Sequence, residues 1–152
     1  MGLGSDFVLE AANVNVLINQ VSVVNGAKLN WGALGLQDSN GVDVFSDKLV
    51  ATVELQASGD VALNLYGFVM AVGSFDIFKG SFSGSDGVIA LTDAQLLTIQ
   101  LLNIEVFVGV GGVFEDTAGT ATFTDDTVNV DDASGFQATV GKLSLALLTQ
   151  GT

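Results

Sequence analysis

Leu49-Val50-Ala51-Thr52-Val53-Glu54-Leu55-Gln56-Ala57 places an apolar residue at every second position, with Thr52, Glu54 and Gln56 between them. A period of two puts Ala51, Val53, Leu55 and Ala57 on one side of an extended chain and the polar residues on the other. After Ser58-Gly59-Asp60 the alternation resumes with Val61, Leu63 and Leu65. It returns in Leu102, Ile104, Val106 and Val108, and again in Leu143, Leu145 and Leu147 against Lys142 and Ser144. Each run predicts a strand with one buried face. Turns are expected at Asp38-Ser39-Asn40-Gly41, Ser58-Gly59-Asp60, Ser83-Gly84-Ser85-Asp86-Gly87 and Asp131-Asp132-Ala133-Ser134-Gly135, which carry the residues that favour tight turns. Asp93–Ile104 has helical spacing at Leu97, Leu101 and Ile104, but Thr98 and Ile99 are β-branched and the alternation runs straight on. A strand is therefore predicted there as well. The expected class is all-β.

The residue inventory excludes more than it selects. Seventeen Asp and Glu stand against four Lys, for a net charge of −13, and the chain has no His, Cys or Pro. Without thiol or imidazole there is no Cys/His metal site, no disulfide and no Ser-His-Asp or Cys-His triad. The negative charge repels nucleic acid and anionic lipid alike, so neither is an expected partner. No enzymatic activity is expected. Val61–Phe78 and Leu96–Phe114 are long and weakly charged, yet their period of two is not that of a spanning helix, and no membrane insertion is expected. The start Met1–Asp6 has neither a basic n-region nor an apolar h-region, so it does not read as a signal peptide.

The chain repeats itself. Phe, three residues, a small apolar residue, Gly or Ala, any residue and a large apolar residue recur from Phe7, Phe68, Phe107 and Phe136. The run Asp60–Lys79 passes through this motif without a turn cluster, so Gly73 is expected as a bend or bulge inside a strand. Phe7, Val14, Val16 and Ile18 also match Phe136, Leu143, Leu145 and Leu147 at one constant offset. The opening of the chain thus looks like the close of a preceding copy. The expected organisation is a repeat tail over 1–25 followed by one β module over 26–152. An elongated or solenoid-like β-sheet repeat unit is the predicted architecture, with a β-sandwich as the alternative.

Val106-Phe107-Val108-Gly109-Val110-Gly111-Gly112, and Gly135-Phe136 through Lys142-Leu143-Ser144-Leu145-Ala146-Leu147-Leu148, resemble segments repeated in giant secreted bacterial surface proteins. Those proteins are Gly- and Asp-rich, adhesin-like, and often carry haemolysin-type calcium repeats. The resemblance covers the C-terminal part of the chain, which lacks the Gly-Gly-x-Gly-x-Asp nonapeptide itself. It implies a secreted or cell-surface location and a structural role as spacer, stalk or matrix element. Its partners would be neighbouring repeats of the same chain, or copies stacked head to tail into a filament. A glycan- or surface-binding adhesin module is the alternative, with Trp31 as the residue able to stack on a sugar.

One window is chemically distinct. Glu115, Asp116, Asp125, Asp126, Asp131 and Asp132 fall close together, and no Lys lies between Lys79 and Lys142. Carboxylates in loops are the hard oxygen ligands that suit Ca²⁺, which needs neither His nor Cys. These six are the candidate Ca²⁺ ligands, against the plainer reading of a solvated acidic rim that keeps sheet edges apart. Asp38–Asp43 is a second oxygen-rich loop, read as a turn.

Overall fold

A computed structural model describes residues 7–23 and 26–150. The start Met1–Asp6 and residue Asn25, at the expected module boundary, lie outside the described residues. Seven strands form among the described residues: β1 (Phe7–Ile18), β2 (Val53–Leu65), β3 (Val69–Ser85), β4 (Ala90–Val110), β5 (Val113–Glu115), β6 (Thr127–Asn129) and β7 (Ser134–Thr149). The only helical elements among them are two 3₁₀ turns, Trp31–Leu34 and Phe123–Asp125. The class is all-β, as the alternation predicts, and Asp93–Ile104 lies inside β4.

Five strands make one sheet in the order β1-β2-β3-β4-β7, and β5 pairs with β6 in a second. In the small sheet Val113, Phe114 and Glu115 face Asn129, Val128 and Thr127. The large sheet is neither a closed barrel nor a solenoid. The solenoid expectation fails because consecutive strands fold back on one another by tight turns, whereas a solenoid coils each strand past the last in one sense.

The β2–β3 hairpin shows how this happens. Tyr66 and Gly67 have φ of +56° and +67°, and Phe68 donates its N–H to the Leu65 carbonyl at 2.9 Å. Two consecutive left-handed residues make the type I′ turn that matches strand twist. Asn64 fixes it by accepting the Gly67 N–H at 2.7 Å. The uninterrupted strand expected across Asp60–Lys79 is therefore broken at Tyr66-Gly67.

Ser58-Gly59-Asp60, expected as a turn, runs instead through the middle of β2. A Cβ on Gly59 would sit 3.1 Å from the Ala12 carbonyl oxygen and 3.1 Å from the Phe75 ring. This glycine permits close packing where a turn was expected. Gly73 also stays within its strand, β3, and lies against Ile104 and Leu102 of β4. The left-handed break is across from it, at Asn103 with φ +51°. Asn13 in β1 makes the same break at +52°. Asn is among the few residues that tolerate this region.

Contacts divide the described chain into two units. The first gathers 7–15, Ser58–Asp76 and Ile99–Leu145; the second gathers Val16–Ala57, Ile77–Thr98 and 146–150. The first has a core of Ala62, Met70, Val72, Phe107 and Val128, with Phe114, Val130 and Ala133 against it. Here the small sheet covers one face of the large one, a local two-layer packing of the kind a sandwich uses. Ala62 is therefore the buried residue of its run, while Val61 and Leu63 are half-buried, the reverse of the face the alternation selects. The Phe107 ring lies in a slot walled by Gly109, Gly112 and Gly135. A Cβ on any of them would come within 2.6, 2.6 and 2.8 Å of that ring.

The second unit buries Leu49, Val53, Ala94 and the polar Asn19. Asn19 donates to the Leu29 and Val50 carbonyls and accepts the Trp31 indole N–H at 3.1 Å, so its burial is fully compensated. Trp31 in turn meets Phe45 with ring centroids 5.0 Å apart.

Candidate functional site

The acidic window spans the end of β5, the 3₁₀ turn, β6 and the turn into β7. Its backbone is held by its own side chains. Asp116 Oδ1 accepts the N–H groups of Gly119 and Thr120, closing a turn that has left-handed Gly119 at +71°. Asp125 accepts hydroxyl hydrogens from Thr120 at 2.9 Å and Thr122 at 2.8 Å. The Thr122 and Thr120 hydroxyls hold the Asp125 carboxyl below its ordinary value. Glu115 takes the Asn129 amide, and Asn129 accepts the Asp131 N–H.

Asp126 differs from the rest. It is buried, at 8% exposure, and its Oδ1 has no hydrogen-bond partner. Burial, then the charges of Asp116, Asp125 and Glu10, push its carboxyl above the usual carboxylate range. Desolvation and like charge both favour the protonated form. An ionised Asp126 is thus an uncompensated charge in this loop cluster.

Of the six candidate ligands, Asp116 and Asp125 lie close enough for their charges to raise the carboxyl of Asp126. Glu115 is tied to Asn129, and Asp131 and Asp132 occupy the turn before β7. Among the described residues no three carboxylates are arranged as a metal-holding group. Glu10 joins the cluster from β1, its carboxylate accepting the Phe123 N–H at 3.2 Å. No feature of the sequence brings Glu10 here, because 113 positions separate the two residues. Glu105 is likewise recruited by the fold: it accepts the Val128 N–H and the Gln137 amide, tying β4 to β6 and to β7.

The Asp38 loop behaves as a turn. Its carboxylate caps the backbone N–H groups of Val42 and Asn40, which lower its pKa. Trp31 has its indole N–H on Asn19 and its ring against Phe45, a packing role.

The apolar positions of β7 lie open. Leu143, Leu145 and Leu147 are 55%, 49% and 53% exposed. Their counterparts in β1, Val14, Val16 and Ile18, are 53%, 52% and 55% exposed. Nothing among the described residues covers the face expected to be buried at 143–147. Among the described residues no helix is long and apolar enough to cross a membrane. The chain matches no known protein family, no curated relative and no solved structure.

Proposed function

We propose that this chain is a structural repeat module, a spacer, stalk or matrix element of a large secreted or surface-attached bacterial protein. One observation carries the reading: the two segments that match each other in sequence are the two outer strands of one sheet. A module that joins like modules needs matching ends. A fold held by Gly slots, Phe packing and Asp- and Asn-closed turns needs no reactive side chain, in keeping with a chain without His or Cys. The full coding sequence of the parent protein tests the reading. Several copies spaced by about one module length are expected, and a single unrepeated occurrence overturns it.

A self-assembling filament subunit is the second reading, favoured by the open edges and exposed Leu and Val residues of β1 and β7. Negative-stain imaging of the purified chain separates the two, since a monodisperse monomer removes the filament. Glycan binding has weaker support, because the one Trp is engaged internally. Calcium enters the proposal through Asp126, whose Oδ1 is the one buried side-chain oxygen among the described residues without a hydrogen-bond partner.

A further inference from the structure

In every neighbouring pair of the large sheet, residue numbers rise along one strand as they fall along the other. Asn19 bonds Glu54 while Ala12 meets Gly59. Phe68 bonds Leu65 while Ser81 bonds Thr52. Gly73 meets Leu102 while Asp86 bonds Ile89, and Gly109 meets Ser134 while Glu105 bonds Gln137. Four reversals return β7 to the direction of β1. Strand β7 therefore points the way β1 does, and no strand among the described residues pairs with its outer edge. An edge strand of this length is a template for another chain.

The sequence match fixes a register. Setting Phe136, Leu143, Leu145 and Leu147 over Phe7, Val14, Val16 and Ile18 sets Lys142 over Asn13. Asn13 donates to Asp60 Oδ2 at 2.7 Å, while Asp60 Oδ1 accepts the Ser74 hydroxyl at 2.7 Å. Lys142 in that seat puts an ammonium against the same carboxylate, an ion pair in place of an amide–carboxylate hydrogen bond. Only four cations exist in this chain against 17 acids, and one falls at this position. The same register sets Gly141 over Ala12 and Leu143 over Val14, the two residues that Gly59 packs against. Gly141 has open space around it, and its neighbour Lys142 takes the place of Asn13, whose φ is +52° in β1.

We propose that β7 docks on β2 of a second copy of this module in the register that β1 takes here, with Lys142 paired to Asp60 of that copy. The proposal rests on the repeat reading above and specifies its joint. In it the sheet runs on from copy to copy, and β1 holds the place of the preceding copy's β7.

Two proteins test it. In the first, the full chain has residues 7–18 replaced by the sequence of 136–147. Its melting midpoint is expected within about 3 °C of the parent chain, and Asp60→Lys should lower it by about 3 °C more than in the parent. A chimera that folds but responds to Asp60→Lys as the parent does overturns the register. The second protein is a two-copy chain in which Leu147 continues directly into Asn19 of the next copy. One transition about 5 °C or more above the single chain is expected, because coupled repeats melt together. Two transitions, or the midpoint of the single chain, overturn the docking whatever the chimera does. The parent coding sequence decides the repeat reading separately, so failure of the joint and failure of the array are told apart.

Discussion

At the scale of single residues, Asp126 is where stability is set against charge. Its pKa is raised in the folded state, so the fold holds this proton more tightly than the unfolded chain does. The contribution is present below the ordinary carboxylate value, about 3.9, and is lost as pH rises through the raised folded value. Asp126→Asn should therefore raise the melting midpoint at neutral pH and remove this acid-side gain, as read from midpoints across a pH series. The lowered Asp38, Asp86 and Asp125 act the other way, and their contribution is lost as pH falls below the ordinary range. The same Asp126 predicts a calcium response. Millimolar Ca²⁺ should raise the midpoint relative to chelator in the parent chain and not in Asp126→Asn. An unchanged parent midpoint removes calcium from the proposal. Phe107 offers a neutral control: Phe107→Ala empties the slot between three glycines and should cost about 3–5 kcal/mol in denaturant unfolding.

At the scale of elements, turns and close approaches matter more than strand propensity. Gly67→Ala places a side chain at φ +67° and should cost about 1–2 kcal/mol, measured in the same way. Gly109→Ala meets the Ser134 carbonyl oxygen and the Phe107 ring at once, and about 1–3 kcal/mol of overpacking is expected. This is also where sequence reading succeeds and fails. The period of two identifies strands at 53–57, 102–108 and 143–147, because alternation is a property of the extended chain itself. It selects the wrong face at Val61, because burial of Ala62 depends on a small sheet formed much later in the chain, by Val113–Glu115 and Thr127–Asn129. It takes Ser58-Gly59-Asp60 for a turn because Gly serves turns and close packing alike. The two-residue turn at Tyr66-Gly67 stays hidden because one left-handed position is filled by an aromatic residue. The acidic window is legible as a cluster, but which acid is buried is not. That depends on Glu10 and on the path of the Phe123–Asp125 turn.

At the scale of the whole molecule, a net charge of −13 opposes association of copies. Any contact between modules works against long-range repulsion that salt screens over roughly 10 Å at 0.1 M. Association of the purified chain should therefore strengthen from low to physiological ionic strength, as followed by light scattering. Leu145→Lys, on the open edge of β7, should weaken it at every salt concentration.

The order of strands in the large sheet carries a consequence for how the protein is made. Each of β2 to β4 pairs with the strand that precedes it in the chain, and β7 joins last, beyond β4. A chain leaving the ribosome can lay each new strand on an edge that already exists, without waiting for distant sequence. In a tandem protein, completion of one module would leave the seed for the next already in position. Such a polymer would be zipped up at the pace of translation and in its order, whatever its length.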